Sequence, residues 1–193
     1  MRKAVFAVSH QYNSKIIVGD HHYAKYLAKK GYKILWLAAP NSPLFYIQNK
    51  NKYKERKNDY YSLPIKVDDN IYQYNPRTFL PYGTKNFLFG SLWVARNSLR
   101  FCVPNLDTYL AKISFLNCDV LWISEPKYTY IDSIVKTRCI LHRMTDNFYG
   151  FSGIPNSFYK VHKDLIKKAN LFYVTSKKLY NQYKTMNHNV KYL

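Results

Sequence analysis

The chain has 193 residues, 47% hydrophobic and 18% aromatic, enough for one domain with a full core and too few for two. No run approaches the roughly 18–20 apolar residues that cross a bilayer as a helix, and the apolar stretch after Lys3 ends at Ser9-His10, too short for a secretory signal. The formal charge is +19, from 30 Lys and Arg against 11 Asp and Glu; such a field draws polyanions or acidic membrane surfaces, and it also arises without function where a genome's codon usage favours Lys, Asn, Tyr and Ile. The three cysteines, Cys102, Cys118 and Cys139, are odd in number and widely spaced, the pattern of reduced thiols in a cytosolic protein.

Short apolar runs alternate with helical stretches, the order that βαβ units and a parallel sheet produce. Residues 4–8 read as a buried strand. Asp20 stands where an N-cap belongs, and Tyr23 with Leu27, like Ala24 with Ala28, falls on one helical face. Lys29 and Lys30 sit at the negative end of that helix's dipole, and Gly31 stops it. Residues 34–38 are apolar on both faces, as parallel strands are. The tract QNKNKYKERKNDYY, residues 48–61, has no apolar period and reads as an exposed loop. A third strand is expected over 70–74, a helix over 87–101 blocked by Pro104, and a helix over 108–116 capped by Asp107. Residues 119–124 read as a central strand with Glu125-Pro126 at its carboxyl end, and 139–144 as the next, leading into Thr145-Asp146-Asn147. A helix over 157–169 is closed by Asn170; a strand over 171–175, a short helix capped by Ser176 and a last strand over 190–193 follow. There is no internal repeat and no linker. A parallel strand is normally followed by a crossover helix, so an end at residue 193 predicts an incomplete unit.

In an open α/β sheet, ligands sit at the carboxyl ends of the strands. That rule selects residues 9–20, 125–128 and 142–150. Gly19 permits close backbone approach to a ligand, and Asp20 reads either as part of that approach or as the helix cap. Glu125, one of two glutamates, can orient an acceptor hydroxyl or take its proton; a surface carboxylate among lysines is the alternative. Asp146 binds a hydroxyl or closes its loop by an Asx turn, with Arg143 and Asn147 beside it as binding groups or solvated surface. A GxGxxG string is absent, so nothing supports a bound dinucleotide, and no cofactor is expected. His21 and His22 point about 100° apart on a helix and have no Cys or carboxylate at ligand spacing, so no metal is expected; His22 is retained as an acceptor-loop contact. No helix-turn-helix, RNP or zinc pattern accompanies the charge, which disfavours nucleic acid.

Four stretches, in this order and spacing, resemble the N-terminal domain of GT-B glycosyltransferases, closest to the bacterial branch that builds capsular, teichuronic and other surface polysaccharides. They are GDHHYAKYLAKKGYKILWLAAP, YNPRTFLP, DVLWISEP, and HRMTDNFYGF followed by KVHKDLIKKANLFYVTSKKLYNQY. Together they span nearly the whole chain. The last block contains Asp146 at the family's acidic position. Two positions depart from the pattern: Leu141-His142 where relatives often have Tyr-Asp, and His162 where they often have Glu.

The resemblance implies a Rossmann-like parallel sheet flanked by helices, the N-terminal half of a GT-B fold, as a single domain over residues 1–193 with the C-terminal donor-binding domain absent. It implies a sugar moved from a nucleotide-sugar, held mainly by that other half, to a lipid-linked or polysaccharide acceptor in cell-surface glycan synthesis. Backbone amides, helix N-termini and basic residues then stabilise the leaving diphosphate without a bound metal. The implied place is the cytoplasm or the inner, anionic face of the plasma membrane. A non-catalytic basic module holding nucleic acid or membrane is the alternative.

Overall fold

The computed structural model describes residues 1–15, 17–44, 63–83, 88–150 and 153–193. Its strands are β1 (Arg2–Ala7), β2 (Tyr32–Leu37), β3 (Ile65–Asp68), β4 (Ile71–Tyr74), β5 (Asn117–Ile123), β6 (Lys136–Met144), β7 (Leu171–Val174) and β8 (Val190–Tyr192). They form one sheet in the order β3-β4-β2-β1-β5-β6-β7-β8, parallel throughout except for the β3–β4 hairpin. The helices are α1 (Gly19–Lys29), α2 (Leu92–Asn97), α3 (Leu106–Lys112), α4 (Phe158–Lys168) and α5 (Lys177–Tyr183). This is the Rossmann-like α/β architecture the sequence predicts.

Both faces of the sheet are covered, which is why its strands are apolar throughout. Ala4 and Phe6 of β1, and Val8 just after it, pack with Ala24 and Ala28 of α1. The alternate residues Val5 and Ala7 pack with Leu106, Tyr109 and Leu110 of α3. Pairing runs from β1 to β2 on one side and to β5 on the other. The order therefore reverses at β1, and a crevice opens beyond the carboxyl ends of β1 and β5.

Several expectations are corrected. Val18, not Asp20, is the N-cap of α1, and Asp20 lies inside the first turn. Its carboxylate accepts from Trp122, Ser124 and Arg143 and not from the amides of its own helix. Asn105, not Asp107, caps α3: its Oδ1 accepts from the Thr108 amide at 3.3 Å, and the helix ends at Lys112. The third strand has an antiparallel partner, β3, that its half-polar sequence IKVD does not announce; the turn passes through Asn70 at φ 58°, a conformation Asn tolerates. The helix expected over 87–101 is α2 followed by a 3-10 turn, Ser98–Phe101, with Ser91 as its cap. Gly31 behaves as expected, with φ 82° after the end of α1, and Ser176 accepts from the Leu179 amide at 3.2 Å. The Lys/Asn-rich tract over 48–61 lies outside the described residues.

No helix among the described residues is long and apolar enough to cross a membrane. Cys102 and Cys118 are buried and Cys139 is partly buried, none in a disulfide. Burial pushes the Cys102 thiol up to about 12 and the Cys118 thiol up to about 11, so neither is a thiolate at neutral pH.

Candidate functional site

The site rests on three aromatic rings carried by adjacent strands. Phe6 on β1 is in register with Trp36 on β2 and with Trp122 on β5. Their rings stack, with centroids 6.0 and 5.2 Å from that of Phe6. Each indole spends its one donor on the crevice. Trp36 Nε1 donates to the His10 carbonyl at 2.8 Å and fixes the loop after β1. Trp122 Nε1 donates to Asp20 Oδ1 at 3.1 Å. His21 holds the same loop from α1: its Nε2–H donates to the Tyr12 carbonyl at 3.0 Å while Nδ1 accepts from the Val18 amide at 3.1 Å, a tautomer assigned from its partners.

Asp20 is the hub. Besides Trp122, its Oδ2 accepts from Ser124 Oγ at 2.7 Å, and its Oδ1 meets Arg143 Nη1 at 3.3 Å. The ion pair is dry, with 12% of the Arg143 and 6% of the Asp20 side chain exposed. Arg143 lies on the β6 face that carries Leu141 towards α1, and its guanidinium rests against the N-terminus of that helix. A cation at the positive end of a helix dipole is unfavourable by roughly 0.3–1 kcal/mol. An uncompensated buried charge costs several kcal/mol, so the attraction of Asp20 outweighs the repulsion of the dipole and holds Arg143 in place. The Arg143 Nε is buried without a hydrogen-bond partner among the described residues.

Gly19 makes this approach possible. A Cβ there would stand 2.6 Å from Arg143 Nη2, inside van der Waals contact. Gly19→Ala is expected to push the guanidinium out of its seat at a cost of about 1–3 kcal/mol. Urea unfolding reads the loss; an unchanged midpoint would mean that Arg143 moves aside freely.

The cavity beyond these groups has a volume of about 640 Å³. Ser9 and His10 line it from the loop after β1, Ser124 and Glu125 from just beyond β5, and Arg143 and Asp146 from the end of β6 and the loop after it. Glu125 is fixed by its backbone: its amide and that of Ser124 both donate to the Ala7 carbonyl, at 3.3 and 3.1 Å. Its Oε1 accepts from the Lys127 amide at 3.1 Å, opening the 3-10 turn Pro126–Tyr128. Tyr128 anchors that turn in the core, donating to the Ala38 carbonyl at 2.5 Å. Asp146 is exposed at the cavity's edge and accepts from Thr145 Oγ1 at 2.9 Å. A second cavity of about 200 Å³, reaching Asn41, Asn75 and Arg77, adjoins it at Ser9 and His10.

The structure brings Gly19, Asp20, Glu125, Arg143 and Asp146 together on one cavity. It does not bring His22, which is exposed and does not line it. Asn147 is also exposed and off the lining; its Oδ1 accepts from the Tyr149 amide at 3.4 Å. Trp36, Trp122 and His21 were not legible as site residues. The repeated central aromatic on β1, β2 and β5 was the signal, and register turns it into one stack.

The two departures from the GT-B pattern meet each other. His142 and His162 are fully buried and their Nε2 atoms are 3.0 Å apart. His142 Nδ1–H donates to the Ile123 carbonyl at 2.7 Å, so its Nε2 accepts from His162 Nε2–H. His162 Nδ1 then accepts from the Tyr149 hydroxyl at 2.8 Å. This chain closes only if both rings are neutral. Desolvation drives both that way, lowering His142 to about 4 and His162 well below its ordinary value. The pair lies under the cavity wall: Phe148 and Phe158, which line it, pack 5.7 and 6.0 Å from the His162 ring.

No protein-family model matches the sequence, and no curated protein matches it. Among solved structures the chain is similar to sucrose-phosphate synthase from Thermosynechococcus elongatus, a GT-B glycosyltransferase, with a TM-score of 0.60 at 12% identity. The superposition covers 99% of this chain and 47% of that one, so the chain spans about half the neighbour's length. At that identity the likeness establishes the fold.

Proposed function

We propose that the chain is the acceptor-side domain of a glycosyltransferase that moves a sugar from a nucleotide-sugar to a lipid-linked or polysaccharide acceptor. The observation that carries this reading is a concentration of carboxylates. Asp20, Glu125 and Asp146, three of only 11 acidic residues in a chain of charge +19, line one cavity. Carboxylates accept hydrogen bonds from hydroxyls and repel phosphates. The Glu125–Asp146 side therefore suits a polyhydroxyl acceptor. Arg143, Lys127 and the N-terminus of α1 suit the phosphates of the leaving group.

Chemically, Glu125 or Asp146 takes the proton of the acceptor hydroxyl as that oxygen bonds to the anomeric carbon. The bond from that carbon to the diphosphate breaks, and the diphosphate leaves with the electron pair. Asp20 serves by holding Arg143. The likeness of fold to a glycosyltransferase supports this reading, in which a second Rossmann domain would supply most of the nucleotide's contacts and this chain only a few to its phosphates.

Saturation-transfer NMR with a panel of alkyl glycosides tests it. Glycoside ring protons are expected to receive saturation from the chain and to lose it when Glu125→Gln is combined with Asp146→Asn. Calorimetry with UDP-sugars is expected to show no micromolar binding to this chain. A panel of glycosides that all fail, or tight UDP-sugar binding, overturns the assignment to the acceptor side.

A further inference from the structure

Charge is unevenly spread around the carboxyl end of the sheet. From Asn147 to Leu193 the chain carries eight lysines and a single acidic residue, Asp164. Part of that charge has a structural use. Lys167 and Lys168 close α4, where a cation meets the negative end of the dipole, and Lys168 pairs with Asp132. Lys160, Lys177 and Lys178 have no such use. They stand in the first turns of α4 and α5, at the positive end of each dipole, and neither first turn holds an acidic residue. Helix stability therefore disfavours them where they are. All three are exposed. Neither they nor Lys163, one turn further along α4, form a salt bridge among the described residues. Asp164 is engaged instead by the Tyr130 hydroxyl, which donates to its Oδ2 at 2.7 Å.

These lysines border the large cavity. Phe158, which lines it, is followed at once by Tyr159 and Lys160. Thr145, also on the lining, accepts at its carbonyl from Thr175 Oγ1 at 2.9 Å, two residues before Lys177. Two rings join the lysines there. Tyr149 and Tyr159 directly follow the wall residues Phe148 and Phe158, with centroids 5.3 Å apart. Tyr159 is 53% exposed, and Lys163 Nζ stands 6.0 Å from the centre of its ring. The sign of the charge thus changes at the rim: Glu125 and Asp146 face the cavity, and lysines lie outside it. A glycan whose terminal sugar offers hydroxyls, and whose next units are acidic, matches both sides. The electron-rich face of a tyrosine packs on the C–H face of a sugar ring. We propose that Tyr159, Lys160, Lys163, Lys177 and Lys178 extend the acceptor site and hold the acidic sugar units of an anionic glycan. The proposal rests on the reading of the cavity as an acceptor site. A bilayer fits this rim less well. Apart from Tyr159, the exposed residues of α4 and α5 are lysines, Asn181 and Gln182, with no aliphatic side chain to enter the acyl boundary. Nucleic acid carries a phosphate at every unit, including the one that would meet Glu125 and Asp146, which repel it.

Calorimetry at low ionic strength, with galacturonic acid oligomers and their methyl esters as probes, tests this. The two series share sugar and length and differ only in charge. From dimer to hexamer the affinity of the acids is expected to rise at least tenfold, and that of the esters less than threefold. Combining Lys160→Gln, Lys163→Gln, Lys177→Gln and Lys178→Gln should abolish the rise and leave ester binding within threefold of wild type. A control with the same loss of charge at the opposite end of the sheet, Lys29→Gln, Lys112→Gln, Lys136→Gln and Lys167→Gln, should keep it. The two readings fail separately. Esters that bind while acids bind no tighter remove the extension alone, whereas a chain that binds neither series removes the acceptor site and the extension with it. The extension is also overturned by a rise that survives in the Lys160/Lys163/Lys177/Lys178 variant or vanishes equally in the control. Tighter binding of phosphatidylserine vesicles or of oligothymidylate than of the hexamer through the same four lysines overturns it too.

Discussion

Replacing Asp20 with alanine lowers the unfolding free energy by about 3–5 kcal/mol, the cost of removing one partner from a buried ion pair. The size follows from what is stranded. Arg143 loses its counter-charge in a seat where little of its side chain meets water, and the Trp122 indole and Ser124 hydroxyl lose their acceptor. For a chain of this length the melting temperature falls by about 2–4 °C per kcal/mol. Asp20→Asn keeps the Oδ1 acceptor for Trp122 and turns an amide N–H to the Ser124 hydroxyl, which can accept it, but still strands the guanidinium, so it falls between wild type and Asp20→Ala. Adding Arg143→Met to Asp20→Asn removes the stranded charge while filling its volume, and recovers more than half of the loss. Chemical denaturation of the four proteins decides the matter. An Asp20→Ala variant within about 1 kcal/mol of wild type would show that Arg143 escapes to solvent and that Asp20 does not organise the crevice.

Acidification between about pH 6.5 and pH 4 destabilises the fold through His142 and His162. Both rings have folded-state values below the ordinary histidine value, so the unfolded chain binds more protons in that window and stability falls as pH falls. Above the ordinary value both states are neutral there and the pair adds no slope. With His142 at about 4, that ring alone contributes roughly 3 kcal/mol across the window, and His162 acts in the same direction. The structural reason is local: a proton on His142 Nε2 places two N–H groups head to head across a 3.0 Å contact. Urea midpoints from pH 7.5 to about pH 5, where most carboxylates stay ionised, are expected to slope downward in wild type and to flatten in the variant carrying His142→Gln and His162→Gln. Equal slopes would place the titrating groups elsewhere.

The sequence made the architecture legible because hydrophobic period is local. VFAV, ILWL and VLWI are buried on both faces, and only a parallel sheet covered on both sides accepts such strands. The rule that ligands gather at the carboxyl ends of the strands then selects Gly19, Asp20, Glu125, Arg143 and Asp146, which line the cavity, and Asn147, which does not. Element ends were less legible. Asp20 and Asp107 both look like caps because a carboxylate near a helix start is favourable at several positions, and only the backbone decides which residue is the half-in one.

By itself the sequence determined that this chain folds as a doubly covered parallel sheet, that it is strongly basic, and that its carboxylates at strand ends are few. Only the tertiary structure decided what those carboxylates do. Asp20 became the partner of a buried arginine 123 residues away, and the two histidines that break the family pattern became each other's hydrogen-bond partners across 20 residues. Trp36 and Trp122 became anchors of the crevice through register with Phe6. Trp93 stayed on the surface although it lies in an apolar run, because its neighbours Val94 and Ala95 fill the inner side of a short helix. The physical reason is the same in each case: burial and periodicity act between near neighbours in sequence, whereas the pairing of a charge or a donor is fixed by which strands lie side by side.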